Sequence, residues 1–100
     1  MKIIAVTACP AGVAHTYMAA KSLEKEALKR GHEIKIEKQG TLGIDDELTE
    51  KDIYEADIVI FAVSVSVEDE ERFEGKKIID VEIKDALGNP KAVLDRVEGK

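Results

Sequence analysis

A single cysteine stands in a segment whose residue types suit the chemistry of anions. Residues 9–16 read Cys-Pro-Ala-Gly-Val-Ala-His-Thr and directly follow a short apolar run that ends in Thr7 and Ala8. A helix N-terminus stabilises a thiolate through its dipole and its unpaired backbone N–H groups. Because the composition becomes helix-forming immediately after this segment, we expect Cys9 to lie at a strand-to-helix junction and to react as a thiolate nucleophile.

The same segment is suited to hold a phosphate through its backbone amides. Amides that follow one another at a helix start can converge on an anion as a nest. Pro10 has no N–H to donate but stiffens the turn, and Gly12 permits a positive φ or a close approach of the backbone to the ligand. The His15 ring and the Thr16 hydroxyl are further candidate donors. The predicted phosphate-binding residues are Pro10, Ala11, Gly12, Val13, Ala14, His15 and Thr16.

The segment lacks an arginine that a related class of enzyme would need. A cysteine-dependent phosphatase with a strand-loop-helix of this kind places Arg six positions after the cysteine, and here that position is His15. A loop that binds phosphate mainly through amides stabilises a phosphocysteine without strongly activating water against it. This difference favours a phosphoryl carrier over a hydrolase. A lone cysteine in an arbitrary protein is more often an inert buried residue, but the place of Cys9 before a proline and a glycine at a helix start favours a functional role.

The elements that must position Cys9 alternate between strands and helices. Apolar runs and alternating patterns predict strands at residues 3–6, 33–37, 58–63 and 77–81, with the second near a sheet edge and the third central. Helices are predicted over 14–30, over 49–56 behind a capping box, and from Pro90 onward behind Asn89 as N-cap. Gly31 is the predicted C-terminal cap of the first helix. The apolar stripe of this helix is predicted to contain Met18, Ala19, Leu23, Ala27 and Leu28.

Several other residues are interpreted first as structural. Gly40 is expected to be a turn glycine, and its place at the rim of the Cys9 site depends on the fold alone. Tyr17 is expected to support the core or the loop rather than bind a ligand. His32 follows a helix cap and is expected to be exposed, and Glu37 is expected on the exposed side of the second strand.

The alternation of strands and helices predicts one domain spanning residues 1–100. The fold class is α/β, a three-layer α/β/α domain with a four-stranded, mainly parallel sheet of the flavodoxin or Rossmann type. In such sheets ligands bind outside the carboxyl ends of the strands. The predicted position of Cys9 and its predicted chemistry therefore agree.

Composition and charge exclude several classes of function. Apolar residues make up 44% and charged residues 36%, and the formal net charge is −6. Residues 1–50 hold 7 basic and 8 acidic side chains, whereas residues 51–100 hold 8 and 13, so an anion site is expected in the first half. The acidity argues against nucleic acid as a partner. The chain contains neither a signal-peptide pattern nor a membrane-spanning run, so we expect a cytoplasmic protein without membrane insertion.

A resemblance to a known family begins at residues 7–20, which read Thr-Ala-Cys-Pro-Ala-Gly-Val-Ala-His-Thr-Tyr-Met-Ala-Ala. This segment closely resembles the active-site segment of the fructose-family IIB components of the bacterial sugar phosphotransferase system. The resemblance continues in order and spacing through residues 31–35, 39–40, 43, 47–49, 56–57 and 72–76, so it covers nearly the whole chain. It implies that Cys9 accepts a phosphoryl group from a IIA phosphohistidine and passes it to fructose or a related hexose bound by a membrane IIC component.

The resemblance also implies a location peripheral to the inner membrane through IIC, and neither a metal nor an organic cofactor. A single thiol likewise cannot form an internal disulfide or a multi-thiolate metal site. Two positions depart from the family pattern, since Ala11 stands where Thr is expected and Ser64 where Asp is frequent. The alternative functions are an enzyme like the low-molecular-weight tyrosine phosphatases or arsenate reductases, and a non-catalytic regulator with the same fold.

Overall fold

A computed structural model of the protein describes residues 1–9, 13–40 and 43–100. The strands are β1 (Lys2–Ala8), β2 (Glu33–Gly40), β3 (Gly43–Asp45), β4 (Ile58–Val63) and β5 (Ile78–Val81). The helices are α1 (Val13–Lys29), α2 (Glu50–Glu55), α3 (Ile83–Gly88) and α4 (Pro90–Val97), and a short 3₁₀ helix covers Glu70–Phe73.

The five strands form one mixed sheet in the order β3-β2-β1-β4-β5. β1 pairs in parallel with β2 and β4, β4 pairs in parallel with β5, and only β3 runs antiparallel. The α/β class and the mainly parallel sheet are confirmed, but the predicted number of four strands is wrong. The additional strand β3 has three residues, which is too short for an alternating pattern to reveal.

The core has two halves because alternate residues of the inner strands point to opposite faces of the sheet. Ile3 and Ile60 pack with Leu23 of α1 and with side chains of α3 and α4. On the other face, Ile4 packs with residues from α2 and from the 3₁₀ helix, whose Phe73 meets Phe61 edge-to-face at 5.3 Å between ring centroids. Helical layers therefore cover both faces, as the three-layer prediction requires.

The predicted helix ends are confirmed in detail. Gly31 has a φ of 80°, and the N–H of His32 donates to Ala27 O at 3.0 Å, which closes α1 as a Schellman motif. Thr49 and Asp52 form the capping box of α2, and the Asn89 side chain accepts from Ala92 N ahead of Pro90. These contacts fix the end of α1 and the starts of α2 and α4.

Several local predictions were incomplete. Helix α3 was not anticipated, since six residues provide less than two turns of periodicity. Met18 and Leu28 were predicted to lie on the apolar stripe of α1, but both side chains are exposed. The residues of that stripe that are buried include Ala19 and Leu23. Glu37, expected on the solvated side of β2, is fully buried.

Candidate functional site

Cys9 lies at the carboxyl end of the central strand. Ala8, the last residue of β1, is in register with Gln39 of β2 and with Val63 of β4. Immediately after β4, the N–H of Ser64 donates to Ala8 O at 2.9 Å. Three parallel strands therefore end together around Cys9, which is where the fold was expected to place a ligand site.

The thiol of Cys9 is shielded but not isolated. The residue is 6% exposed and packs against the core half that faces α1. Its Sγ lies 3.8 Å from Nδ1 of His15, an exposed residue of the first turn of α1. A sulfur and an imidazole at this distance can share a proton or an N–H···S contact, so His15 is placed where it can interact with the sulfur or with a group bound to it.

The predicted phosphate-binding residues are only partly described. Pro10, Ala11 and Gly12 lie outside the described residues, and of Val13 only the backbone, at the start of α1, is described. Thr16 is fully buried, and its carbonyl accepts from Thr7 Oγ1 at 3.2 Å, which ties the first turn of α1 to β1. The amide nest and the Thr16 hydroxyl as a phosphate donor stay predictions.

A cavity of about 170 Å³ reaches Cys9 from the side of β2 and β4. One wall is the end of β2, with Gln39 and Gly40, and the other is the segment that follows β4. The described residues that line it are Ala8, Cys9, Gln39, Gly40, Val65, Ser66 and Glu68. Its volume is large enough for a phosphoryl group beside the sulfur.

A buried ion pair supports both walls of this cavity. Glu37 is fully buried and receives a bidentate pair of hydrogen bonds from Arg72, at 3.0 and 2.9 Å. The N–H of Leu48 donates to the same carboxylate at 2.9 Å, and Gln39 Nε2 donates to it at 2.7 Å. Every carboxylate oxygen of Glu37 is therefore satisfied, as a buried charge requires.

The charge of Glu37 is maintained by these contacts. Burial by itself raises the pKa of Glu37, but the hydrogen bonds from Arg72, Gln39 and the Leu48 amide together outweigh it, so the pKa lies below its usual value. The Glu37 carboxylate correspondingly raises the pKa of Arg72. The pair is thus fully charged at neutral pH.

All three arginines of the chain are engaged with other partners. Arg72 is committed to Glu37, Arg30 contacts Glu26 and Glu98, and Arg96 donates to a backbone carbonyl. None of them is among the described residues that line the Cys9 cavity. The described chain also contains no cluster of three or more His, Cys, Asp or Glu side chains that could hold a metal.

The start of α1 is also linked to the edge strand. Tyr17 donates a hydrogen bond to Asp45 of β3, and the Lys38 ammonium lies 5.5 Å from the centroid of the Tyr17 ring. Tyr17 was expected to support the core or the loop rather than bind a ligand, and it is half exposed. Its contact joins the helix start beside Cys9 to β3.

The residues of the cavity wall were the part of the site that sequence reasoning missed. Gly40 was interpreted first as a turn glycine that the fold could bring to the rim, and Gln39, Val65, Ser66 and Glu68 were not predicted to line the site. Gln39 and Arg72 did stand in segments that carried the family resemblance, which was the only available signal. Their pairing with residues about 30 positions away leaves no local pattern in the sequence.

Comparisons with known proteins agree with one another. Residues 4–96 match the family described as "PTS system, Lactose/Cellobiose specific IIB subunit". The chain is 50% identical over 97 residues to the PTS system fructose-like EIIB component 2 of Escherichia coli K12, covering 97% of this chain and 92% of that protein. Component 1 of the same organism is 46% identical, with 97% and 90% covered.

Solved structures show the same likeness in three dimensions. The Enzyme IIB subunit of the PTS system from Escherichia coli K12 superposes with a TM-score of 0.92 at 46% identity, covering 97% of this chain and 90% of that one. A domain of the fructose-specific IIABC component from Borrelia burgdorferi gives a TM-score of 0.89 at 49% identity, with 94% and 89% covered. In the described part of this chain, no helix is both long and apolar enough to span a bilayer.

Proposed function

The chain belongs to the IIB family of the sugar phosphotransferase system and is fructose-like within it, and from this premise we propose that Cys9 is its phosphoryl-carrying residue. The observation that supports the proposal most directly is the place of Cys9. It is the only cysteine of the chain, it lies between the carboxyl end of β1 and the start of α1, and it borders a cavity.

The proposed reaction consists of two transfers. In the first, the Cys9 thiolate attacks the phosphorus of a phosphohistidine on a IIA protein. The S–P bond forms as the P–N bond breaks, and the imidazole leaves in its neutral form after taking up a proton. In the second, a hydroxyl of fructose or a related hexose at the membrane IIC component attacks the same phosphorus, the S–P bond breaks, and the hydroxyl proton leaves to a base. The thiolate is regenerated, and no metal or organic cofactor takes part.

The residues around Cys9 suit a carrier better than a hydrolase. The arginine that a phosphatase would use to stabilise the transition state is replaced by His15, and the three arginines have other partners. The N-terminus of α1 favours a bound anion without adding a full positive charge. We propose that the amides of residues 11–16 hold the phosphoryl oxygens, with His15 and Thr16 as additional donors.

The partners and the location follow from the same proposal. A IIA phosphohistidine protein or domain delivers the phosphoryl group, and a membrane IIC permease presents the sugar. The chain then works at the cytoplasmic face of the inner membrane, held there by contact with IIC rather than by insertion. Val65, a half-exposed apolar residue on the cavity wall, is available at the surface where such a partner must approach.

The decisive experiment is transfer of labelled phosphate. We expect a phosphorylated IIA component of a fructose system to label the chain on Cys9, as a phosphothiol that iodine cleaves, and the Cys9→Ser variant to stay unlabelled. Adding membrane vesicles that contain a fructose IIC component and the sugar should then discharge the label into sugar phosphate. Absence of label, or label that persists in Cys9→Ser, would refute the carrier role.

A parallel assay separates the alternatives. The unmodified chain incubated with an aryl phosphate should show negligible turnover, because the site has no arginine to stabilise the transition state of hydrolysis. Sustained turnover that depends on Cys9 would instead support a phosphatase. A chain that is labelled by IIA but never discharged by IIC and sugar would support the non-catalytic regulator.

A further inference from the structure

Gln39 connects the buried ion pair to the cavity beside Cys9. Its Oε1 accepts from the N–H of Glu68 at 2.8 Å, and its Nε2 donates to the carbonyl of Glu68 at 3.2 Å and to the Glu37 carboxylate at 2.7 Å. The amide therefore holds both backbone groups of one residue of the opposite wall. Gln39 is 5% exposed and is the next-to-last residue of β2.

The orientation of this amide is fixed by chemistry. Nε2 faces two acceptors, a carboxylate and a carbonyl, and Oε1 faces a backbone donor. The reversed orientation would place an oxygen against the Glu37 carboxylate and an NH₂ group against an N–H. Because Glu37 is itself held by Arg72 and Leu48, it determines which way Gln39 points.

Residues 64–68 follow β4 and form the opposite wall, and their first attachment is the hydrogen bond from Ser64 N to Ala8 O at 2.9 Å. Ser64, Val65 and Ser66 are exposed, and Val67 is the buried residue that anchors this segment in the core. Arg72 donates to the carbonyls of Glu68 and Asp69, at 3.3 and 3.0 Å, so the Glu68 carbonyl accepts from both Arg72 and Gln39. Of the two side chains that bind the backbone of Glu68, Gln39 is the one that belongs to β2, and it alone also accepts from the Glu68 N–H.

We infer that Gln39 is a positioning residue for the Cys9 site, which keeps residues 65–68 closed over the cavity beside the sulfur. The advantage of such a wall rests on the proposed function, because a closed wall would keep water and wrong acceptors away from a phosphocysteine. It acts through the backbone of Glu68 and requires no contact of Gln39 with the phosphoryl group.

The first test needs only the thiol and is independent of phosphoryl transfer. Cys9 is the only cysteine, so alkylation of the native chain reports on this one site. We would measure the rates with iodoacetamide, which is small, and with a bulky aryl maleimide, and compare their ratio. In Gln39→Met, a variant of similar length without hydrogen-bonding groups, the bulky reagent should gain about tenfold relative to the small one, corresponding to about 1.4 kcal/mol for opening the wall.

A matched control removes a different set of polar contacts at the far end of the sheet. Arg30→Met breaks the hydrogen bonds to Glu26 and Glu98, and it should lower stability without changing the ratio of the two alkylation rates. A merely structural role of Gln39 would make Gln39→Met behave like Arg30→Met. An unchanged ratio in Gln39→Met would therefore overturn the inference.

A second variant keeps the test usable if Gln39→Met does not fold. Gln39→Asn retains an amide near Glu37 but is shorter by one methylene, so it cannot hold both backbone groups of Glu68, and the ratio should rise in the same direction. Hydrolysis of the isolated phosphorylated chain should also become faster in both variants, by about tenfold. If Cys9 is never phosphorylated, the proposed function fails while the alkylation result still decides the role of Gln39.

Discussion

The two ends of the sheet each contain an arginine held by carboxylates, but the two clusters do different work. At the carboxyl end, Arg72 pairs with Glu37, whose side chain is 0% exposed, and the pair supports the walls of the Cys9 cavity. At the amino end, Arg30 contacts Glu26 and Glu98 where α1 and α4 finish, and the Glu98 side chain retains 16% exposure.

The two clusters differ in whether water and other partners can compensate for the loss of the arginine. If Arg72 is removed, Glu37 remains buried with an unpaired charge, because Leu48 N and Gln39 supply only neutral donors. If Arg30 is removed, Glu98 keeps His32 and Lys100 as partners and is reached by solvent. The comparison indicates that the cluster beside the site is the more costly one to break.

The largest effect is expected for Arg72→Met. Leaving the Glu37 carboxylate buried without its cation should lower the free energy of unfolding by about 3–5 kcal/mol. Urea unfolding at neutral pH, followed by circular dichroism, measures the loss. The double variant Glu37→Leu/Arg72→Met should be less destabilised than Arg72→Met alone, since it removes the orphaned charge. A double variant that is the less stable of the two would contradict the assigned cause.

The fold and the position of Cys9 were predictable because their signals are local. The continuous apolar run Ile58–Val63 announces a strand buried on both faces, and Gly31 and Asn89 mark helix ends through their own conformations. The junction after β1 also follows from the sequence alone. These features need no knowledge of what the rest of the chain does.

The walls of the site were not predictable because they depend on pairings between distant residues. Glu37 looks like an exposed strand residue until Arg72, 35 positions later, is brought to it. His32 was expected to be solvent-exposed, but it lies 2.6 Å from Glu98, which is 66 positions away, and its side chain is only 13% exposed. The hydrophobic periodicity of a strand or helix indicates which of its own faces is buried. It contains no information about partners that are distant in sequence.

A smaller effect is expected at the amino end of the sheet. Arg30→Met removes ion pairs that water partly screens, so the urea midpoint should fall by no more than about a third of the shift caused by Arg72→Met. Labelling of Cys9 by phosphorylated IIA should continue at the wild-type rate, because the walls of the cavity are intact. Equal losses of stability in the two arginine variants would remove the distinction between the clusters.

The smallest effect is a pH dependence confined to the amino-end cluster. The hydrogen bond from His32, followed by Lys100 and the charge of Arg30, lowers the pKa of Glu98 to about 2, compared with about 4.3 in an unfolded chain. A carboxyl whose folded pKa is depressed contributes stability above the unfolded value, and that contribution is lost as the pH falls toward the folded value. The urea midpoint of Glu98→Gln should therefore lie below that of the unmodified chain at pH 6, with the gap shrinking between about pH 4.3 and about pH 2. Both chains contain Glu37, so the difference between their urea midpoints cancels the titration of that residue. A difference that stays constant over this pH range would show that the charge of Glu98 does not stabilise the cluster.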